Sequence, residues 1–292
     1  ELLRGNKEDW YGNPVLLLPT LRGESLAIAP SFDEGDSERL LCKCNDRAAF
    51  EYGPDGKLNS FTVSDGVSTT FASASLADHL VRESTTVLAH LARSLKPGAV
   101  LRKAHAIKIV RHIEARLAKK IDREALATQM PLYRKIHLDY LKGEMEEIRR
   151  GKRIGSATLQ AGMVRPDVHP VTREACERIT MIRVGDGGRC IIGPYPPSHG
   201  SMSGEFAPDG HAPGQIDPAK VKGVPEEEIE IEDMFLRRGE ILLVFTDGLN
   251  KKGWPTIAAF QQRAQQLYNE GYTDPDRLTR QLLWESQGDE SG

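Results

Sequence analysis

The chain has 292 residues, of which 39% are hydrophobic and 28% charged, and its formal net charge is −3 at pH 7. This length and apolar content are enough for a sizeable core in one large domain or two small ones, so a soluble globular protein is expected. The charge balance gives no basic surface in bulk. Neither a nucleic-acid partner nor an anionic membrane partner is therefore predicted.

No apolar run reaches the roughly 20 residues that a membrane-spanning helix needs, and residues 1–6 lack the pattern of a signal peptide. A cytoplasmic protein without a membrane partner is expected. The four cysteines are too few and too scattered for a disulfide framework in a chain of this length. Cys42 and Cys44 flank Lys43, and burial as small apolar side chains is favoured over metal ligation.

The first 60 residues predict an antiparallel meander of strands. Short apolar runs at residues 15–18 and 25–29 alternate there with Pro, Gly and charged residues. Asp55-Gly56 predicts a hairpin turn between two of the strands, because this dipeptide is a frequent hairpin turn.

From about residue 71 to residue 150 the apolar residues recur with a helical period. We expect a first helix that ends at Pro97-Gly98, a second around residues 107–117 and a third over residues 132–150. The second has a basic face, for which a solvated surface is favoured over a partner-binding surface.

Strand patterns return at residues 156–164, 179–184 and 189–193. Residues 193–225 are rich in Pro, Gly and His, and so long a loop is expected to be functional or mobile. The acidic run 226–232 alternates Glu with Ile, which is typical of an edge strand with one charged face. Two helices are predicted over residues 255–270 and 274–286, and Asp274 is expected to cap the second.

Three predicted strands are followed by an aspartate beside glycine, at Asp65, Asp186 and Asp247. Each follows a run of the β-branched and aromatic residues that form buried strands. A carboxylate at a strand end is held on stiff backbone, and the adjoining glycine lets the chain turn or approach a ligand. A plain turn is the favoured interpretation for any one of them. Together, the three aspartates predict a metal site.

The motifs occur in an order that resembles a known family. They are Asn45-Asp46-Arg47-Ala48-Ala49, Val63-Ser64-Asp65-Gly66, two long helices, Gly155-Ser156-Ala157-Thr158-Leu159, Val184-Gly185-Asp186 and Phe245-Thr246-Asp247-Gly248-Leu249. This order is similar to that of the metal-dependent protein serine/threonine phosphatases of the 2C type, in their bacterial form. The resemblance spans about residues 40–290.

The resemblance implies an α+β fold, namely a four-layer α/β/β/α sandwich of two antiparallel sheets flanked by helices. It implies a single domain over residues 1–292, in which residues 193–225 correspond to a flap that borders the active site. In the family a final strand follows the last helix and begins with a metal-binding Asp. That strand is expected to be missing from this sequence, which stops at Gly292.

The resemblance also implies a centre of two Mn²⁺ or Mg²⁺ ions, with a third, weaker ion in bacterial members. Asp65 would bridge the two metals, the Gly66 carbonyl would bind one of them, and Asp247 would bind the other. Asp46 would act from the first or the second layer of groups around the metals, and Asp186 would contribute to the third ion. The implied catalytic residues are therefore Asp46, Asp65 and Asp247.

The chemistry of these residues agrees with that implication. Hard divalent cations prefer carboxylate and carbonyl oxygens, and two of them roughly 4 Å apart can activate a water and clamp a phosphoryl group. Such a mechanism requires no nucleophilic side chain. The implied enzyme is a hydrolase that acts on phosphoserine or phosphothreonine of a phosphorylated protein.

The chain also departs from the family pattern. Leu41 stands where an Arg usually grips the substrate phosphate, and Lys43 or Arg39 could substitute with looser geometry. Residues 67–70 replace the usual Gly-Gly. These departures favour, as one alternative, a pseudophosphatase that keeps the fold as a binding or regulatory module. A second alternative is the sporulation-type phosphatase branch, suggested by residues 237–240.

Overall fold

A computed structural model describes most of the chain beyond residue 45 and parts of the chain before it. The described residues are 4–8, 14–18, 26–28, 46–66, 73–96, 98–121, 146, 149–150, 155–195, 201–205, 214–220, 222–246 and 254–286. Cys176 and Cys190 are buried, and neither forms a disulfide within the described part of the chain. Cys42 and Cys44 lie outside the described residues.

The described residues form eleven strands and four α-helices. The strands are β1 (Arg4–Glu8), β2 (Pro14–Leu18), β3 (Leu26–Ile28), β4 (Arg47–Tyr52), β5 (Leu58–Ser64), β6 (Leu159–Val168), β7 (Ala175–Val184), β8 (Gly187–Ile192), β9 (Met202–Glu205), β10 (Ile229–Leu236) and β11 (Ile241–Phe245). The helices are α1 (Ser73–Ser94), α2 (Lys103–Lys120), α3 (Ile257–Asn269) and α4 (Pro275–Ser286).

The chain divides into two compact units, and the larger comprises Asn45–Asp186 and Ala207–Arg237. It contains an antiparallel sheet of five strands in the order β10-β7-β6-β5-β4. Helices α1 and α2 pack on one face of this sheet. Strand residues at alternate positions, such as Leu159 and Ala161, share a core there with Leu80 and Ile113 of the helices, because successive side chains of a strand point to opposite faces.

The other face of the five-stranded sheet is also buried. Phe61, Ile179 and Met181 point to that face and are each less than 7% exposed. Gly162 lies opposite Phe61 in the ladder, and a Cβ at Gly162 would lie only 2.2 Å from Phe61 Cζ. The glycine therefore provides the room that the Phe61 ring occupies.

Strand β10 forms one edge of the sheet, as the alternation of Glu with Ile predicted. Ile229 is buried against the helices and Glu230 is exposed on the opposite face, where it pairs with Arg183 of β7. The hairpin turn predicted at Asp55-Gly56 joins β4 to β5. Gly56 has the positive φ of 69° that such a turn needs.

The smaller unit comprises Glu1–Cys44, Gly187–Phe206 and Arg238–Gly292. One of its sheets has the order β11-β8-β9, and the other is the meander β1-β2-β3 that the first residues predicted. A core joins β8 and β11 to α3 and α4, and includes Phe245, Phe260 and Leu282.

Both C-terminal helices begin at residues that cap them. Thr256 accepts a hydrogen bond from the Ala259 amide at the start of α3. The Asp274 carboxylate accepts one from the Arg277 amide at the start of α4, as the sequence predicted. A capping oxygen satisfies an amide that has no partner inside the helix.

The α+β class and its antiparallel sheets are confirmed. The four-layer stacking, the single domain over residues 1–292 and the missing final strand stay predictions. Most of the helix expected over residues 132–150 lies outside the described residues. The helices that the structure describes include none that is long and apolar enough to cross a membrane.

Candidate functional site

Two of the predicted site residues lie at the same end of adjacent strands. Asp46 directly precedes β4 and Asp65 directly follows β5. The ladder between these strands pairs Arg47 with Ser64, so its continuation by one residue sets Asp46 opposite Asp65. Opposed residues of an antiparallel pair have Cα atoms about 5 Å apart and side chains on the same face. The fold therefore places Asp46 and Asp65 at neighbouring strand ends.

The backbone of Asp65 is held from the neighbouring strand by Thr158. The Thr158 amide donates to the Asp65 carbonyl at 2.8 Å, and the Asp65 amide donates to the Thr158 hydroxyl at 3.0 Å. The hydroxyl of Ser64 donates to the Thr158 carbonyl at 2.6 Å. Three hydrogen bonds thus fix the backbone on both sides of the Asp65 side chain.

The orientation of Gly66 suits its predicted role as a carbonyl ligand. Gly66 forms an antiparallel bridge with Ala157. Because the Thr158 amide donates to the Asp65 carbonyl, Gly66 and Ala157 are a non-hydrogen-bonded pair of the ladder. In such a pair the backbone N–H and C=O of each residue point away from the other strand. The Gly66 carbonyl therefore points to the side on which Asp46 lies.

Asp186 lies farther along the same edge of the sheet. It follows β7, which is separated from β5 by β6 alone, and it is 6% exposed. Its role at the rim of the site stays a prediction. We call the strand ends that carry Asp46, Asp65, Gly66 and Asp186 the site edge.

The C-terminal part of the segment 193–225 returns to the site edge. Ile216 exchanges two backbone hydrogen bonds with Ala157, of 3.1 and 2.9 Å, and so takes the place beside Ala157 that β7 leaves. Gly185 makes room for this approach. It has a φ of +92°, and a Cβ there would lie 2.8 Å from the Gly214 carbonyl oxygen.

The far end of the returning segment is fixed by α2. The Glu114 carboxylate accepts a hydrogen bond from the Val224 amide at 2.9 Å, and Arg111 donates to the Val224 carbonyl at 2.5 Å. Arg111 and Glu114 also pair with each other at 2.8 Å. At the other end of the segment, Gln265 of α3 bonds both the amide and the carbonyl of Gly193.

Other predicted site residues cannot be placed in this geometry. Asp247, Lys43 and Arg39 lie outside the described residues. Arg47 is next to Asp46 in sequence, and its guanidinium donates to the Asp46 carbonyl oxygen at 2.7 Å. A phosphate-binding role for Lys43 or Arg39 stays a prediction.

The donor chemistry of the site edge fits a hard divalent cation, because it consists of carboxylate oxygens and a backbone carbonyl. Within the part of the chain that the structure describes, no group of three or more His, Cys, Asp or Glu residues could hold a metal ion. Cys190 offers no alternative nucleophile, since burial raises the pKa of its thiol to about 12.

Sequence reasoning identified the carboxylates but not the groups that hold them. Thr158 and Ser64 appeared only as letters of motifs, and neither is ionisable, so no pattern of charge distinguished them. The return of Ile216 to Ala157 had no sequence signal either. The glycine at position 185 was one available sign, because its positive φ accompanies a close backbone approach.

Comparison with known proteins gives only distant similarity. No protein-family model and no curated protein matches the chain. The chain is similar to the solved serine/threonine phosphatase PstP/Ppp of Mycobacterium tuberculosis, with 13% identity over 86% of this chain and 88% of that one, and a TM-score of 0.46. It is similar to the PstP catalytic domain in complex with two manganese ions, with 14% identity over 85% and 86% and a TM-score of 0.41. RsbX in complex with magnesium has 13% identity over 93% and 92%, with a TM-score of 0.38.

Proposed function

We propose that this chain is a metal-dependent phosphatase that hydrolyses phosphoserine and phosphothreonine of a protein substrate, and that it belongs to the 2C-type family. We further propose a single domain over residues 1–292, with its two sheets stacked between layers of helices, in a bacterial cytoplasm. The absence of a basic bulk charge argues against a nucleic-acid partner.

The observation that carries the proposal is the opposed pair of carboxylates at the site edge. Asp46 and Asp65 leave adjacent strands at the same level, and the Gly66 carbonyl points to the side of Asp46. Bringing two carboxylates together costs free energy through like-charge repulsion, unless a cation or a shared proton compensates. A bound divalent cation would lower this cost and would also have a chemical use here.

Asp46, Asp65 and the Gly66 carbonyl would hold Mn²⁺ or Mg²⁺ together with Asp247, and Asp186 would serve a third, weaker ion. Bound metal would supply an activated water and an electrostatic clamp for the phosphoryl group. The chain's own contribution is positional. The hydrogen bonds from Thr158 keep Asp65 at the strand end before any ligand arrives, so little ordering is left to the binding step.

The returning part of segment 193–225 supports a role for this segment in substrate selection. Ile216 lies beside the bridge that contains Gly66, so this part of segment 193–225 reaches the site edge. A phosphoprotein would meet this segment, whereas a small aryl phosphate would not need to. Shortening the segment within residues 206–213 is expected to lower activity on a phosphoprotein more than on p-nitrophenyl phosphate. Equal losses on both would contradict this role.

The proposal is tested by assaying the purified chain on p-nitrophenyl phosphate and on a phosphothreonine peptide, with Mn²⁺, with Mg²⁺ and with EDTA. We expect hydrolysis of both substrates that requires the metal and is removed by EDTA. Hydrolysis that persists in EDTA would contradict the metal-dependent mechanism. A companion Asp65→Asn variant shows whether any observed activity comes from this site and not from a contaminant.

A pseudophosphatase remains the second candidate, and one observation favours it. Leu41 stands where the substrate-gripping Arg is usual. A chain of this kind would keep the fold and bind a partner without turnover. Measuring the metal content of the purified protein separates the two candidates, since only the phosphatase requires stoichiometric Mn²⁺ or Mg²⁺.

A further inference from the structure

We infer that Thr158 is a positioning residue for Asp65, and that its hydroxyl, more than its size, sets the metal affinity of the site edge. This inference rests on the proposed function. Thr158 directly precedes β6, which lies between β5 and β7 in the sheet. Asp65 directly follows β5, and Val184 is the last residue of β7. It is 1% exposed, so its contacts are made away from water.

The first step of the argument is an irregularity in the ladder between β5 and β6. The Thr158 carbonyl accepts a hydrogen bond from the Ser64 hydroxyl at 2.6 Å. The Asp65 amide donates to the side-chain oxygen of Thr158 at 3.0 Å, although a regular antiparallel pair would use backbone oxygens alone. A side chain has thus entered the ladder at the residue that would bridge the metals.

The second step concerns the methyl group of Thr158. Gly185 directly follows β7, and a Cβ added at this glycine would lie 2.9 Å from Thr158 Cγ2. The methyl group therefore occupies the space that a larger residue at position 185 would need, and it holds the hydroxyl turned to Asp65. Each substituent on the Thr158 Cβ therefore lies against a neighbour: the hydroxyl bonds the amide of Asp65, and the methyl group lies against Gly185.

The third step is that these contacts act on the backbone of Asp65 and not on its carboxylate. A hydroxyl that bonds the backbone does not itself occupy the carboxylate oxygens, and it restricts the direction of the Cα–Cβ bond. Groups that orient a metal ligand in this way commonly contribute about 10- to 100-fold to metal affinity or activity. Without the hydroxyl, the Asp65 amide would lose a buried partner and the strand end would shift to find another.

The test compares Thr158→Val, which keeps the shape and removes the hydroxyl, with Thr158→Ser, which keeps the hydroxyl and removes the methyl. Thr85→Val is the matched control. Thr85 is a buried threonine of α1 whose hydroxyl bonds the Val81 carbonyl and the Thr62 side chain. Its loss should affect stability without reaching the site edge. Mn²⁺ affinity is measured by titration calorimetry, and exchange of the Asp65 amide is followed by hydrogen–deuterium exchange.

We expect Thr158→Val to weaken Mn²⁺ binding about 10- to 100-fold and to speed exchange at Asp65. Thr158→Ser should restore most of the affinity, and Thr85→Val should retain the affinity of the unchanged protein. Equal Mn²⁺ affinity in the unchanged protein and in Thr158→Val would overturn the role of Thr158 alone. An unchanged protein that binds no Mn²⁺ would instead overturn the proposed function, and this role with it.

Discussion

The two ends of the five-stranded sheet carry different sets of charged residues. At the site edge, Asp46, Asp65 and Asp186 lie beside the ends of three strands. At the other end, the strands carry two buried arginines, Arg165 and Arg178, which face each other directly across the ladder. Like charges placed directly opposite destabilise a sheet, so the two arginines need a compensating group.

The far end contains its own compensation. Arg178 pairs with Asp233 at 2.6 Å and with Asp167 at 3.5 Å, and Arg165 donates to the Ala99 carbonyl at 2.7 Å. The hydrogen bond to Asp233 raises the pKa of Arg178, whereas burial and the neighbouring Arg178 lower the pKa of Arg165. We call these two arginines and two aspartates the far-end cluster.

The difference teaches how to separate a structural set of charges from a functional one in the same sheet. The far-end cluster contains two cations and two anions from the sheet itself. The site edge carries Asp46 and Asp65 at adjacent strand ends, where a bound metal would add positive charge. Perturbation should therefore change stability at the far end and metal-dependent function at the site edge.

The largest expected effect is that of Asp65→Asn on activity. Removing a ligand charge should lower metal-dependent hydrolysis by at least about 100-fold, the upper range seen when groups that only support a ligand are removed. The fold should survive, because the backbone bonds to Thr158 do not involve the carboxylate. Hydrolysis of p-nitrophenyl phosphate with Mn²⁺ measures the loss of activity. Thermal unfolding in EDTA measures whether the fold survives.

Asp167→Asn is the matched control for that substitution, since it makes the same chemical change in the far-end cluster. It should leave activity unchanged. An Asp65→Asn variant with normal activity would remove the site edge from the mechanism altogether.

At the far end, Asp233→Asn should destabilise the fold by about 1.5–3 kcal/mol, the range for a hydrogen bond to a charged group. The Arg178 guanidinium would lose its closest anion while it stays buried, at 10% side-chain exposure. Urea unfolding followed by circular dichroism gives the free energy. Loss of metal-dependent activity at a temperature where the variant is fully folded would contradict the separation of the two ends.

A pair of glycine substitutions sharpens the comparison within one sheet. Gly185→Ala would place a Cβ at a φ of +92°, 2.8 Å from the Gly214 carbonyl oxygen, and Gly162→Ala would press on the Phe61 ring at 2.2 Å. Each should cost about 1–3 kcal/mol of stability, through backbone strain in the first case and overpacking in the second. Only Gly185→Ala should also weaken Mn²⁺ binding, measured by calorimetry. If both variants weaken it equally, metal affinity depends on general stability.

The smallest expected effect concerns Glu83, which lies between the helices and away from both ends. Burial by itself raises the pKa of Glu83, but hydrogen bonds from Lys120 and Arg116 lower it below the ordinary value of 4.5 overall. The carboxylate therefore adds stability that is fully present above about pH 4.5 and is lost as the pH falls through the lowered pKa.

Glu83→Gln should lower the free energy of unfolding by only about 1 kcal/mol at neutral pH. The effect is small because the side chains of its cationic partners are 38% and 51% exposed, so water screens the ion pairs. The variant and the unchanged protein should converge in stability as the pH falls through the lowered pKa of Glu83. Thermal unfolding between pH 3 and pH 7 measures this difference. A constant difference across that range would show that Glu83 acts through packing and not through its charge.

Much of the fold could be predicted from local pattern. The helical period before Pro97-Gly98 predicted α1, and the alternation of Glu with Ile predicted β10 as an edge strand. Asp274 was predicted as a cap and bonds the Arg277 amide. Each of these features depends on residues close together in the chain, so the sequence contains the whole of the physical cause.

The site was predictable only as far as its residue types. Asp beside Gly at the end of an apolar run indicated Asp65 and Asp186, because strand formation and turn chemistry are both local. The pairing of Asp46 with Asp65 depended on the register of β4 on β5. A shift of one residue in that register would turn the two side chains to opposite faces.

What the tertiary structure alone decided is which groups support those carboxylates. Thr158 reaches Asp65 across 93 positions of sequence, and Ile216 reaches Ala157 to close the same edge. A threonine hydroxyl or an isoleucine backbone has no charge or period that marks it in a sequence. Its role depends on which strand the fold places beside it. The order of the strands follows from burial of both faces of the sheet, and no short stretch of sequence contains that information.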